Sequence, residues 1–160
     1  MSTQTQNPFV ALSDAMAGAV AHAGAATVTV DARRRLPASG IAYTRDLVLT
    51  ADHVVERDED LTVYVPDGTA LAARVAGRDA GRDLALLRLE AGVLTPAEIA
   101  PEPARIGQLV LALGRPSGEG MQASLGVISA SGGPVRTGRG GLLESYLRTD
   151  TIPYPGFSGG

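Results

Sequence analysis

The hydrophobic pattern of this chain has a period of two over most of its length, and that period restricts the fold more than any other feature. Residues Thr27–Asp31 alternate β-branched and polar side chains, as is typical of a strand. Similar short runs recur downstream, separated by Gly, Pro and Asp. They predict further strands at 39–44, 47–50, 61–65, 70–76, 84–89, 108–113, 123–130 and 142–149. Many short strands with turn signals between them indicate an all-β barrel or sandwich.

One helix is predicted before the first strand. The apolar residues that share one face at helical spacing are Leu12, Met16, Val20 and Ala23. Ser13 and Asp14 stand near the start as candidate capping residues, and Gly24 can end the helix. The residues before the helix predict a flexible N-terminus at 1–11, which leaves residues 12–160 for the folded domain.

A segment without a strand pattern divides the chain into two lobes. Residues 90–105 include Pro96, Pro101 and Pro103, which interrupt regular structure and indicate a connector. The first lobe is therefore placed at 25–89 and the second at 106–160. In the second lobe, residues 132–141 hold five glycines and two arginines. This stretch is predicted to be a mobile loop whose charges are solvated.

The composition argues against several kinds of site and partner. The net charge of −3 indicates no polyanionic partner such as a nucleic acid. With no Cys and only two His, the chain lacks a thiolate metal site and any support for a zinc motif. The apolar residues 9–30 include Asp14 and His22, which argues against a membrane segment. No basic region of a signal peptide precedes them, so the chain as given is expected to be cytoplasmic.

The final residues, 150–160, carry the pattern with the most chemical content. They end in Gly-Phe-Ser-Gly-Gly, in which Ser158 is a candidate nucleophile and the N–H groups of Gly156 and Ser158 would bind an oxyanion. His53 follows a strand on a turn, as a base needs. Asp83 abuts an apolar run, where a histidine Nδ1–H would satisfy its carboxylate and leave Nε2 free to take the serine proton. Alone, Asp83 would read as a strand-end residue that caps a turn.

Neighbouring residues offer alternatives to this set. Asp52 adjoins His53 but is predicted to lie at the surface, because adjacent side chains on a turn rarely point together. Ser131 precedes two glycines like a nucleophile, but Ser129 stands where an oxyanion loop prefers Gly. The terminal Gly156-x-Ser-x-Gly160 also fits the nucleophile elbow of α/β-hydrolases. That fold needs its acid and His downstream, so this interpretation is rejected.

Five segments combine into a recognisable pattern. They are Ala38-Ser-Gly-Ile41, Leu49-Thr-Ala-Asp-His-Val-Val55, Asp83-Leu-Ala-Leu-Leu-Arg-Leu89, Gly107-Gln-Leu-Val-Leu-Ala-Leu-Gly114 and residues 147–160. In this order they resemble the trypsin-like serine proteases of the bacterial HtrA (Deg) type, over residues 20–160. The resemblance implies a chymotrypsin-like pair of six-stranded β-barrels with the site in the cleft between them. His53 and Asp83 would come from the first barrel and Ser158 from the second.

The activity that this resemblance implies is peptide-bond hydrolysis through an acyl-enzyme, with no cofactor and no metal. Its substrates would be proteins or peptides, in protein quality control. His53 would act as base and then acid, Asp83 would orient it, and Gly156 and Ser158 would form the oxyanion hole. In such proteases the residue six before the nucleophile, here Ile152, helps to floor the substrate pocket. An aliphatic floor predicts cleavage after small or medium apolar residues.

Two departures from the family pattern qualify this expectation. Phe157 stands where Asn is usual and is predicted to pack in the second lobe. The chain also stops two residues past Ser158 where relatives continue, so we expect an incomplete second barrel and little or no peptidase activity from these residues alone. The alternative is a non-catalytic, protease-like module that binds peptides or partners. Relatives are often periplasmic, secreted or membrane-anchored, and the resemblance makes a homotrimer the candidate assembly. Phe9 is a candidate contact in such a trimer, but the preferred interpretation of its segment is a disordered tail.

Overall fold

Helix α1 lies at the start of the structure. The computed structural model describes residues 7–117 and 120–160, and α1 spans Pro8–Gly24. The side chain of Asn7 caps the helix by accepting a hydrogen bond from the Phe9 N–H at 3.0 Å. Proline suits the first helical position because its missing N–H would have had no partner there. At the other end, Thr27 Oγ1 donates to the Ala23 carbonyl at 3.0 Å and ties the helix to the first strand.

Six antiparallel strands follow and close into a barrel. They are β1 (Thr27–Asp31), β2 (Ala38–Ala42), β3 (Leu47–Thr50), β4 (Leu61–Tyr64), β5 (Ala70–Asp79) and β6 (Leu84–Leu89). Around the barrel their order is β1-β2-β3-β6-β5-β4. A single 3-10 turn, Asp52–Val54, leaves the end of β3. Because the barrel is closed, each of its strands has two neighbours, which holds the ends of β3 and β6 firmly beside each other.

Aliphatic side chains fill the barrel. Successive residues of a strand face opposite sides, so only alternate residues point inward. In β6, Ala85 and Leu87 are buried whereas Leu84 is 40% exposed, although the whole run is apolar. The valine and leucine side chains with almost no exposure are Val28, Val30, Val48, Val54, Leu61, Val63 and Leu87. This core makes the first lobe a rigid support for the loops at its rim.

Beyond the connector, the described residues form a three-stranded sheet and a hairpin. The sheet contains β7 (Leu109–Gly114), β8 (Gln122–Gly132) and β11 (Tyr146–Thr149), in the order β11-β8-β7. The hairpin pairs β9 (Val135–Arg136) with β10 (Leu142–Leu143). The predicted mostly-β architecture with one helix is confirmed, and the strands at 27–31, 47–50 and 84–89 have the predicted bounds.

The N-terminal prediction is partly wrong. Helix α1 begins at Pro8 rather than at Leu12, and Asn7 caps it rather than Ser13 or Asp14. Phe9 is therefore helical and 80% exposed, not part of a disordered tail. Residues 1–6 lie outside the described part of the chain. In the described ranges, no helix combines the length and the hydropathy that crossing a bilayer requires.

The prediction for the second lobe also needs correction. The expected strand at 142–149 is two strands, β10 and β11, which belong to different sheets. The expected mobile loop at 132–141 contains β9 and makes hydrogen bonds to the first lobe, where Thr137 Oγ1 donates to the Gly81 carbonyl at 2.6 Å. The high glycine content of this stretch predicted a flexible loop. That prediction failed because composition does not reveal which part of the protein the backbone packs against.

Candidate active site

His53 and Asp83 meet at the rim of the barrel. His53 lies in the 3-10 turn after β3, and Asp83 lies directly before β6, the strand that pairs with β3. Asp83 Oδ2 is 2.7 Å from His53 Nδ1, and Asp83 Oδ1 accepts the His53 backbone N–H at 2.9 Å. A carboxylate so close favours the tautomer with the proton on Nδ1, in which Nε2 presents its lone pair to the other side of the ring.

Asp83 adopts an uncommon backbone conformation. Its φ is +59°, in the left-handed region of backbone conformation that residues other than Gly seldom occupy. Its carbonyl accepts the Asp52 N–H at 3.1 Å, which helps to hold that conformation. Burial alone would raise the pKa of the Asp83 carboxyl. The hydrogen bonds from the His53 backbone and ring, with the charges of His53 and Arg139, outweigh burial and lower the pKa below its ordinary value.

Ser158 completes a line with these two residues. Its Oγ lies 3.2 Å from His53 Nε2, on the side of the ring opposite Asp83. The loop 150–160 that carries it begins at Asp150, whose Oδ1 accepts the Val127 N–H of β8 at 2.6 Å. The structure thus brings together His53, Asp83 and Ser158, the three residues that the sequence predicted for the acid–base and nucleophilic roles.

Ser39 ties the serine loop to the barrel, and sequence reasoning did not select it. Its side chain is fully buried in β2; Oγ donates to the Gly156 carbonyl at 2.8 Å and accepts the Arg115 N–H at 2.9 Å. Its backbone N–H donates to the Ser158 carbonyl at 3.1 Å, and its carbonyl accepts from Thr50 Oγ1 at 2.7 Å. A hydroxyl inside an otherwise apolar strand was the available signal, since buried polar groups are hydrogen-bonded.

The glycines beside Ser158 allow a close approach that no side chain permits. Gly156 has φ of +86°, and a Cβ there would lie 2.3 Å from Pro116 Cβ. Gly159 has φ of +89°, and its Cβ would lie 2.2 Å from Thr50 Oγ1. Among the described residues, the N–H groups of Gly156 and Ser158 have no hydrogen-bond acceptor. An oxyanion hole requires two such free donors, directed at one point beside the serine hydroxyl.

Phe157 packs as the sequence predicted. It is 6% exposed, and its ring lies edge-on to Tyr154 with centroids 5.3 Å apart. A Cβ on Gly114 would come within 2.5 Å of the ring, so Phe157 rests directly on the end of β7. The residue between the two candidate oxyanion donors is therefore anchored by apolar contact to the second lobe.

The side chain of Ile152 is not enclosed by a pocket. Its side chain is 62% exposed, and its N–H donates to Ser124 Oγ at 2.9 Å. A cavity of about 830 Å³ lies between the end of α1, the connector and β7, with Phe157 and Ser158 on one side. Neither His53 nor Ile152 lines that cavity. The assignment of Ile152 to a substrate pocket stays a prediction.

The two alternative residues take no part in this arrangement. Ser131 lies within β8 and pairs with Leu147 of β11. The described contacts of Asp52 do not include the His53 ring, and its predicted surface location is wrong. Its side chain is only 11% exposed, and its carboxylate accepts from Arg78 Nη1 at 2.9 Å. In the part of the chain that is described, no group of three His, Asp or Glu side chains is placed to hold a metal ion.

An aspartate, a histidine and a serine in line, at the rim of a closed six-stranded antiparallel barrel, form the arrangement of chymotrypsin-like serine proteases. Comparison with known proteins agrees. The family model described as a trypsin-like peptidase domain matches residues 38–160. The crystal structure of the serine endoprotease from Yersinia pestis is similar, with a TM-score of 0.73 and 33% identity, over 88% of this chain and 50% of that one.

Curated relatives agree with this result. A probable periplasmic serine protease do/HhoA-like of Haemophilus influenzae is 34% identical over 122 residues, which are 75% of this chain and 26% of the relative. The periplasmic pH-dependent serine endoprotease DegQ of Escherichia coli is 33% identical over 75% of this chain and 26% of its own length. The chain belongs to the trypsin-like peptidase family, in its HtrA/Deg type, and has a chymotrypsin-like fold. It spans about a quarter of the length of these curated relatives.

Proposed function

We propose that this chain carries the catalytic site of a serine endopeptidase, with Ser158 as nucleophile, His53 as base and acid, and Asp83 as the orienting carboxylate. The observation that supports this best is the continuous line of contacts. Asp83 Oδ2 is 2.7 Å from His53 Nδ1, and His53 Nε2 is 3.2 Å from Ser158 Oγ. Proton transfer needs such reach, and both distances provide it.

In the first half of the reaction, Ser158 Oγ attacks the carbonyl carbon of the substrate peptide bond. His53 Nε2 takes the hydroxyl proton as the new C–O bond forms. Asp83 holds the ring in the tautomer that makes this possible and stabilises the imidazolium that results. His53 then gives the proton to the leaving amine, the C–N bond breaks, and the acyl group remains on Ser158.

In the second half, water replaces the amine. His53 Nε2 takes a proton from the water as its oxygen attacks the acyl carbon. It then returns a proton to Ser158 Oγ as the bond between Oγ and the acyl carbon breaks, and the carboxylic acid product leaves. Both halves pass through a tetrahedral oxyanion. The N–H groups of Gly156 and Ser158 would bind it, and the loss of one such donor typically lowers the rate by about 10²–10³-fold. No cofactor enters this scheme.

For the substrate, we assign a preference for apolar residues before the cleaved bond. An isoleucine side chain at position 152 offers no partner for a Lys or Arg side chain, whose desolvation would be costly. A peptide library cleaved after small or medium apolar residues would support this assignment. Strict cleavage after Arg or Lys would contradict it.

For the whole protein, we assign the role of an endoprotease in protein quality control, on its membership of the HtrA/Deg type. Curated relatives are named periplasmic, which favours a location outside the cytoplasm over the cytoplasmic one expected from the sequence. The homotrimer stays a prediction; Phe9, its candidate contact, is 80% exposed on α1. Preferential degradation of an unfolded protein over its folded form by the complete protein would support the quality-control role.

The experiment that tests the nucleophile is labelling with a fluorophosphonate, read as intact mass. We expect one adduct on the purified chain, none on Ser158→Ala, and normal labelling of Ser131→Ala, the matched control in the other Ser-Gly-Gly motif. Labelling that survives Ser158→Ala would refute the assignment. An unreactive chain that still binds peptides would support the non-catalytic alternative.

A further inference from the structure

The hairpin of β9 and β10 docks on the loop that presents Asp83. We call residues 135–143 the docking hairpin. Thr137 Oγ1 donates to the Gly81 carbonyl at 2.6 Å, and Arg82 Nε donates to the Leu142 carbonyl at 2.9 Å. The backbones approach so closely that a Cβ on Gly141 would lie 2.3 Å from the Gly81 oxygen. The contact therefore requires glycine at Gly141, and it places part of the second lobe against the turn before β6.

The tip of the docking hairpin has a defined shape. The Thr137 N–H donates to the Gly141 carbonyl at 2.9 Å, and the Gly140 N–H donates to the Thr137 carbonyl at 3.1 Å. Thr137 Oγ1 also accepts the N–H groups of Gly141 and Arg139, at 3.0 and 3.3 Å. One threonine thus both shapes the tip and fastens it to Gly81. As a result, Arg139 leaves the tip from a fixed backbone position.

The guanidinium of Arg139 lies near two carboxylates, those of Asp83 and Asp52. Arg139 Nη1 is 3.7 Å from Asp83 Oδ1 and 3.9 Å from Asp52 Oδ2. Asp83 Oδ1 is the oxygen that accepts the His53 backbone N–H, while Oδ2 faces the imidazole ring. Asp52 has a second cation, Arg78, at 2.9 Å. Arg139 is therefore placed to act on the carboxylate oxygen that fixes the orientation of Asp83, without competing for the oxygen that faces Nδ1.

We propose that Arg139 is a positioning residue of the catalytic site, through which the docking hairpin of the second lobe holds the carboxylate of Asp83 in line with His53. This rests on the proposed function of His53, Asp83 and Ser158. Asp83 needs such support because its left-handed backbone is costly and persists only where surrounding contacts over-determine it. Oδ1 then has two partners, the His53 N–H and Arg139, so rotation of the carboxylate away from the ring loses both.

The competing explanation is a solvated arginine that lies near Asp83 without effect. The Arg139 side chain is 50% exposed and that of Asp83 is 36% exposed. Such an exposed pair changes a folding equilibrium by about fivefold at most. Global stability is therefore a poor test of the proposal. A decisive test has to report on the geometry of the Asp83–His53 pair itself.

The test compares Arg139→Ala and Arg139→Lys with the wild-type chain. Arg136→Ala is the matched control, because Arg136 lies in the same hairpin, is exposed, and forms no ion pair with a described residue. The first measurement is the NMR resonance of the His53 Nδ1–H proton, in protein carrying ¹⁵N-labelled histidine. The second is the rate constant for fluorophosphonate labelling of Ser158.

We expect Arg139→Ala to move or broaden the Nδ1–H resonance and to slow labelling by about fivefold, in line with the loss of one partially exposed charge contact. Arg139→Lys should restore most of both, and Arg136→Ala should change neither. An unchanged resonance in Arg139→Ala would overturn the proposal, and so would an equal effect of Arg136→Ala. If the wild-type chain is not labelled at all, the proposed function fails for this chain, while the NMR comparison still decides the role of Arg139.

Discussion

Replacing Ser39 by alanine should damage both the stability of the fold and the reactivity of Ser158. The substitution removes two hydrogen bonds, the donation to the Gly156 carbonyl at 2.8 Å and the acceptance from the Arg115 N–H at 2.9 Å. It leaves both backbone groups without their partner, beside a side chain that is fully buried. A buried group left unpaired in this way costs about 1–3 kcal/mol.

Two such groups predict a loss of about 2–4 kcal/mol in the free energy of unfolding, since partial relaxation of the loop reduces the sum. For a chain of this length that corresponds to a melting temperature lower by roughly 5–15 °C. Fluorophosphonate labelling should slow by about tenfold or more, because Gly156 carries one of the two proposed oxyanion donors and a displaced donor stabilises less. Urea denaturation and intact-mass kinetics on the same samples measure the two effects.

Ser129→Ala is the matched control for this experiment. Its hydroxyl also donates to a backbone carbonyl, that of Arg148 at 3.0 Å, but the side chain is exposed. A surface change of this kind should cost about 0.5 kcal/mol or less and leave labelling unchanged. If Ser39→Ala behaves like Ser129→Ala, the view that a buried hydroxyl secures the serine loop is refuted.

Three further predictions concern the same site. Because the pKa of Asp83 is lowered in the folded state, its contribution to stability is complete above its unfolded pKa of about 3.9 and is lost as the pH falls through the lower folded value. The difference in unfolding free energy between wild type and Asp83→Asn should therefore shrink in urea titrations taken from pH 6 toward pH 3, and a constant difference would contradict this. Phe157→Ala should lower the unfolding free energy by about 3–5 kcal/mol, as for a buried ring, whereas a loss below 1 kcal/mol would mean that its contact with Gly114 contributes little. Gly159→Ala should cost about 1–3 kcal/mol from backbone strain and abolish labelling, and a labelled, stable variant would show that the close approach to Thr50 can relax.

Local sequence signals predicted much of the fold because barrel strands are specified by short alternating patterns. The runs at 27–31 and 84–89 gave the correct bounds, and the turn after Tyr64 fell where Asp67 and Gly68 require it. The start of the helix was missed because Leu12 seemed the first residue of an apolar face, yet it is 46% exposed. The cap at Asn7 and the proline after it determined the start instead.

The residues of the candidate site that stand in a motif of known chemistry could be predicted from the sequence. Residues whose role depends only on a contact in the folded structure could not. His53, Asp83 and Ser158 each stand in a recognisable segment, and the structure brings them within hydrogen-bond reach. Arg139 has no motif of its own. Ser39 stands in the segment Ala38-Ser-Gly-Ile41, but that segment did not reveal its contacts, since the partners of Ser39 lie far away in the chain. Arg139 lies within the glycine-rich stretch 132–141. The composition of that stretch indicates flexibility, even though its backbone docks on the first lobe in the folded structure.

The closed barrel has a consequence for the order in which parts of the protein unfold. In the described chain, the buried hydrophobic residues outside the barrel cluster are Ile128 and Phe157. Segments with few buried contacts exchange their amide protons through local opening of low free energy. We therefore expect His53 and Asp83 to belong to the slowly exchanging unit, and Ser158 to the faster one. On warming, Ser158 should leave His53 while the barrel amides are still protected, so chemical reactivity should disappear at a lower temperature than the β-sheet signal.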